Sequence, residues 1–164
     1  MALRKLQRQA QNAETGMNYS IAKKQLTPQP VLVLRRQIQP AQIALALAEM
    51  FPRVLQDAQR TGAAVVGPPF ARYLEMGRDA WIIEAGFPVA GPSDETLPGG
   101  LAAMTIHAGP YDKLPEAHAA IGEWIAAEGL VAAGAAWESY VTDPGNHPDP
   151  KDWKTEVYVP IKVG

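Results

Sequence analysis

Glu84 and Glu156 each lie three residues after a tryptophan and four before a proline. The first setting is Trp81-Ile82-Ile83-Glu84-Ala85-Gly86-Phe87-Pro88-Val89 and the second is Trp153-Lys154-Thr155-Glu156-Val157-Tyr158-Val159-Pro160-Ile161. The offset is 72 throughout (153−81, 156−84, 160−88). Both stretches read as strands with a carboxylate in the middle, where burial is costly unless something compensates it. A carboxylate held among aromatic rings attracts a large, flat, positively charged or polarisable guest, each good cation–π contact adding about 0.5–2 kcal/mol. A duplicated acid of this kind points to a ligand pocket between two halves.

Strand alternation sorts the neighbours of Glu156. Trp153, Thr155, Val157, Val159 and Ile161 share the face expected to pack on helices, whereas Lys154, Glu156, Tyr158 and Pro160 share the face expected to line the cleft. On the preceding strand Glu138 and Tyr140 point one way, Trp137 and Ser139 the other. Tyr140 is placed with Glu156 if the register allows, and Trp137 and Glu138 are left open between cleft and scaffold. Tyr111, after Gly109-Pro110 at a strand-to-helix junction, is expected over the cleft mouth. The expected ligand-binding set is therefore Glu156, Tyr111, Trp137, Tyr140, Tyr158, Tyr73 and Glu84. Glu156 and Tyr140 are also the catalytic pair if the protein hydrolyses its guest with carboxylate-activated water.

Other chemistries find little support. His107, His118 and His147 have no metal-ligand spacing, so no metal is expected. His107 reads as a hydrogen-bonded core residue, His118 as helix packing and His147 as solvated loop. No phosphate-cradling loop and no Gly-x-Ser-x-Gly elbow occurs, and no cofactor is expected. The absence of cysteine removes disulfides and thiol nucleophiles. A net charge of −2 argues against direct nucleic-acid binding. No apolar run approaches the roughly 18 residues that span a bilayer, and the N-terminus lacks a signal-peptide core. The default localisation is cytoplasmic.

The elements that must position these residues repeat as well. Residues 31–38 form a strand, and Pro40 opens a helix that Gly62 closes, with Ile43, Leu47, Met50, Phe51 and Val54 on its apolar face. Pro52 predicts a kink or a break there. Strands at 63–76 and 80–89 follow around a turn at Met76–Asp79, and the Pro/Gly/Ser-rich stretch 91–100 reads as a linker. The second half runs as a strand over 101–108, a helix over about 113–128 ended by Gly129, and strands over 135–142 and 153–162. Gly62 and Gly129 are 67 apart, as are Tyr73 and Tyr140, so the five extra residues of the second half (72−67) fall in the loop Asp143–Asp152.

At 164 residues, 47% of them apolar and 20% charged, the chain has enough material for one shared core. The expected fold class is α+β: a duplicated strand-helix-strand-strand module with pseudo-two-fold symmetry, an antiparallel sheet, helices on one face and a ligand cleft between modules. Residues 1–16 are expected to be a flexible extension, with Met17 an alternative start. The domain proper covers 17–164, with repeat 1 at about 30–90 and repeat 2 at about 99–164.

The run from Gly99 to Ile161 resembles the GyrI-like small-molecule-binding domain, the effector-binding domain of AraC- and BmrR-type regulators. The matching segments are Pro98-Gly99-Gly100, His107-Ala108-Gly109-Pro110-Tyr111, Ala117-His118-x-x-Ile121-x-x-Trp124, Trp137-Glu138-Ser139-Tyr140 and Thr155-Glu156-Val157-Tyr158-Val159-Pro160-Ile161. The resemblance implies the same duplicated fold and ligands held between modules, with Glu156 at the position of a buried acid that receives lipophilic cations. It also implies two alternatives: a hydrolase that opens cyclopropane rings, and a gyrase modulator or trans-acting transcription regulator that works through protein contacts. No helix-turn-helix is read in residues 1–30. Exposed strand edges leave a homodimer or a protein partner open.

Overall fold

Gly62 and Gly129 end the two helices in the left-handed conformation, at φ 75° and 71°, and the same order of elements surrounds each of them. The computed structural model describes residues 19–164; the expectations for residues 1–16 and for Met17 lie outside the described residues. The strands are β1 (Ala22–Leu26), β2 (Gln29–Ile38), β3 (Phe70–Met76), β4 (Trp81–Pro88), β5 (Glu95–Leu97), β6 (Gly100–Ala108), β7 (Leu130–Ala132), β8 (Trp137–Tyr140) and β9 (Lys154–Val163). The helices are α1 (Ile43–Thr61) and α2 (Leu114–Ala127), each entered through a 3-10 turn, Pro40–Gln42 and Tyr111–Lys113. All strand pairings are antiparallel, in the order β1-β6-β9-β8-β3-β4-β2-β5, with β7 added on β9. The fold class is α+β, a curled antiparallel sheet with both helices on one face.

Spacing explains the helices. Ala46, Met50, Val54 and Ala58 recur every four residues and are the buried stripe of α1. Met50 packs there with Ile38, Ile83 and Ala85. Leu114, Ala117, Ile121 and Ile125 do the same for α2 against Ala103, Val157 and Ile161. The break expected at Pro52 does not occur, and α1 is continuous from Ile43 to Thr61. The carbonyl that Pro52 cannot engage belongs to Ala48, which is exposed, so water can satisfy it.

The strands depart from expectation where pairing rather than composition decides. Within 63–76 only Phe70–Met76 is a strand, because Pro68 and Pro69 cannot donate to a ladder; upstream only Val65 bridges to Val89. The expected linker contains β5, which pairs Glu95–Leu97 with Gln29–Val31 of β2. Gly86 is required by close approach: a Cβ there would sit 2.3 Å from the Leu32 carbonyl oxygen.

The two halves meet between β3 and β8. Ala71 pairs with Glu138, flanked by Phe70 with Ser139 and Arg72 with Trp137. Ala71 and Glu138 are themselves 67 apart (138−71), the offset that relates Tyr73 to Tyr140, so the pseudo-two-fold axis passes through this pair. Glu138 and Tyr140 thus face the helices, together with Ala71 and Tyr73. On the other face one row crosses six strands: Arg35, Glu84, Arg72, Trp137, Tyr158 and Met104. That face curls inward, bringing Val31, Phe70, Leu97, Ala102, Trp137 and Tyr158 into one buried cluster.

Candidate functional site

On the helix-bearing face, Glu138 lies at the axis and is only 3% exposed. The Tyr73 and Tyr140 hydroxyls both donate to its Oε1 at 2.7 Å, and His118 Nε2 of α2 lies 2.7 Å from its Oε2. Three donors on one carboxylate compensate its loss of water. Burial is the main cause that raises the phenol pKa of Tyr73 and of Tyr140, with the Glu138 charge adding to it, so both remain protonated donors.

Aromatic rings from both repeats fence this carboxylate. Tyr73 meets Trp81 and His118 edge-on, each with ring centres 6.0 Å apart. Tyr111 lies 5.4 Å from Tyr140 and 4.7 Å from Trp153, and Phe51 of α1 reaches Tyr140. Trp81 and Trp153 give their indole N–H groups to the carbonyls of Gly77 and His147, which leaves their ring faces as the available surface. None of these rings is fully buried. A buried anion behind a rim of partly exposed rings is an arrangement suited to an aromatic or alkylated cation.

The opposite face carries a different acid. Glu156 lines a recess of about 160 Å³ together with Phe70, Trp137, Ser139, Tyr158 and Gln29. Trp137 and Tyr158 stack at 5.2 Å and 15°. The Tyr158 hydroxyl donates to Glu156 Oε1 at 3.0 Å, and burial together with that carboxylate raises its pKa. Among the described residues no basic side chain pairs with Glu156.

Glu84, the repeat equivalent of Glu156, is fully buried on that same face. Arg35 Nη2 contacts its Oε2 at 2.6 Å, while Arg72 reaches Oε1 through Nε at 2.8 Å and Nη2 at 2.6 Å. Arg35 also reaches Glu95 at 4.0 Å, so two guanidiniums balance two carboxylates, and Glu84, gripped by both, is a structural anion already occupied by positive charge.

The residues expected around one cleft therefore separate onto two faces. Glu156, Trp137 and Tyr158 are together. Tyr140 is not with them: the register pairs Ser139 with Glu156 and Tyr140 with Thr155, and a strand residue shares its face with its cross-strand partner. The Glu156–Tyr140 pair is consequently not assembled. Tyr73 and Tyr111 are likewise on the helix-bearing face, around Glu138. Glu138 and His118 are the residues missing from the expected set. For Glu138 a signal was present in the offsets, since it lies two residues before Tyr140 on the same strand face and its counterpart at −67 is the small residue Ala71; the offsets did not mark His118. His107 is a clipped core histidine: its Nδ1 lies 2.8 Å from the Tyr19 hydroxyl and its Nε2 donates to the Pro110 carbonyl. Among the described residues no group of side chains is arranged to hold a metal ion, and no helix is long and apolar enough to cross a membrane.

The sequence profile of the GyrI-like small molecule binding domain matches residues 85–162. Those 78 of the 164 residues are similar to a GyrI-like domain. EcmrR, seen by cryo-EM in its DNA complex, is similar at a TM-score of 0.83 and 21% identity over 99% of this chain. The match spans 65% of the EcmrR chain. The crystallised EcmrR C-terminal domain is similar at 0.78 and 21% identity, over 89% of this chain and 99% of that domain. SAV2435 bound to tetraphenylphosphonium matches at 0.57 and 11% identity, over 87% of this chain and 94% of that one. At these identities the likeness is one of fold. No curated protein sequence matches the chain.

Proposed function

We propose that this chain, as a GyrI-like domain, binds hydrophobic cations for sensing or sequestration, with the Glu138 carboxylate as their counter-charge. One observation carries the reading: a 3%-exposed carboxylate at the junction of the repeats, pre-aimed by three donors and fenced by partly exposed rings. Its orientation is paid for by folding, so a guest gains the ion pair without ordering it. SAV2435, of like fold, holds tetraphenylphosphonium, a cation whose charge is spread under phenyl rings and which suits such a fence. Calorimetric titration with tetraphenylphosphonium tests the reading. Glu138→Gln, which keeps the shape and removes the charge, is expected to weaken binding at least about tenfold, or roughly 1.4 kcal/mol. Equal affinity in the variant would remove Glu138 from the site.

A second seat is favoured by the recess of about 160 Å³ beside Glu156, whose carboxylate has no basic partner among the described residues. Its volume is small and its stacked Trp137 and Tyr158 are buried, so it suits a cation of one ring. Glu156→Gln in the same titration separates the seats, because only the variant at the occupied face loses affinity.

A further inference from the structure

We infer that His118 is the resident counter-charge of Glu138, and that a cationic guest binds there by exchange with the proton His118 carries. The inference rests on Glu138 being the seat of the cation. It begins from a contrast between two buried acids of the same sheet. Glu84 is neutralised by Arg35 and Arg72, whose charge does not leave at any pH a protein meets. Among the described residues, Glu138 has one basic side chain at ion-pair distance, the His118 imidazole at 2.7 Å. Imidazole is the side chain that gains and loses its charge between about pH 5 and 8. Glu84 is thus sealed permanently, whereas the pair at Glu138 can be discharged.

The geometry suits an exchange. The His118 side chain is 29% exposed while Glu138 is 4% exposed, so the proton has a way to solvent that the carboxylate lacks. The ring stands edge-on to Tyr73, at the fence the guest must meet. His118 faces Glu138 of β8 and Tyr73 of β3, and Tyr140 of β8 shares the Glu138 carboxylate with it. Phe51 of α1 adds a ring without charge. On its own helix the positions three and four away, Leu114, Pro115, Ile121 and Gly122, carry no charge. The other histidine of this face, His107, is held by Tyr19 and Pro110. Both tyrosines stay neutral across the range in which imidazole titrates. His118 is therefore the group that can change charge when a cation arrives.

The exchange balances. Before binding, the cage holds one carboxylate and one imidazolium. The guest brings one positive charge, the imidazolium releases one proton to solvent, and the cage again sums to zero. The neutral ring can still donate through Nε2 to the carboxylate. Protons and guest compete for one negative charge, so the affinity rises as pH rises and levels off once the imidazole is neutral without the guest. A permanently charged, non-titrating cation is the class of ligand such a cage selects, since it keeps its charge where His118 loses its own.

Tetraphenylphosphonium, titrated calorimetrically in pairs of buffers with different ionisation enthalpies, reads the proton count directly. Within the range in which imidazoles titrate, the wild-type protein should release up to one proton per cation, and fewer as the pH rises. Affinity should climb by up to about tenfold per pH unit across that interval. His118→Gln, which keeps a donor for Glu138 but cannot titrate, should bind with no proton released and with a flat pH profile. Binding without proton release from about pH 5 to 8, or an undiminished release in His118→Gln, overturns the exchange, and loss of that binding in Glu138→Gln shows that the cation site itself stands. Failure of the wild-type protein to bind overturns both. The wild-type proton count decides the matter even if His118→Gln does not fold.

Discussion

Glu84 and Glu156 occupy equivalent points of the two repeats, 72 residues apart, yet their cross-strand neighbours make them opposites. Arg35 and Arg72 stand beside Glu84, whereas Ile106 and Ser139 stand beside Glu156. One position has become a buried carboxylate held by two arginines and the other a carboxylate in a recess walled by rings. The same backbone thus supports a strut in the first half and an open chemical group in the second.

Stability should therefore respond very differently in the two halves. Arg72→Ala leaves the fully buried Glu84 with a single, half-exposed partner, and an uncompensated buried charge typically costs about 3 kcal/mol or more. Glu156→Gln removes a charge that no basic side chain matches, and little loss is expected. Urea unfolding of both variants checks this. Equal midpoints would mean that the arginine pair is not what holds Glu84 in place.

Tyr73 and Tyr140 donate to one oxygen of Glu138, so their contributions should not be independent. Each Tyr→Phe change removes a hydrogen bond to a charged acceptor, at a cost of about 1.5–3 kcal/mol. The double variant should depart from the sum of the singles by more than about 0.5 kcal/mol. Strict additivity in denaturant unfolding would show that the two hydroxyls do not share their acceptor.

Alkaline pH should unfold the protein as its tyrosines ionise. The phenol pKa of each of the five tyrosines is raised above its ordinary value of 10.0, in every case chiefly by burial. A raised value means that the folded state binds its proton longer than the unfolded chain does. The stability is therefore whole below about pH 10 and falls above it, as the unfolded chain alone ionises. Ultraviolet titration near the phenolate band, followed alongside circular dichroism, should show phenolate appearing together with unfolding. Ionisation near pH 10 with the fold intact would contradict the burial of Tyr73 and Tyr140.

What could be read from the chain divides along physical lines. Helix stripes such as Ala117, Ile121 and Ile125, glycine caps and the repeat offset are local or periodic, so composition and spacing carry them. The short strands β1, β5 and β7 are strands because of their partners, and nothing in Glu95-Thr96-Leu97 marks it as one. Face assignment along β9 followed from alternation alone. The relation of β8 to β9 did not, because a shift of one residue exchanges Ser139 for Tyr140 opposite Glu156. Tyr73 and Tyr140, expected on the face of Glu156, thereby stand beside Glu138 instead. The arginines that occupy Glu84 come from strands 49 and 12 residues away, a proximity that only the folded sheet creates.

The pairing of Ala71 with Glu138 has a consequence for how such a molecule can arise. In a symmetric dimer of identical halves, whatever stands on the dyad confronts its own copy, and two glutamates there would be like charges in direct opposition. Joining the halves into one polypeptide lets the centre hold a single acid against a methyl group, so a lone negative charge becomes sustainable where symmetry would have forbidden it.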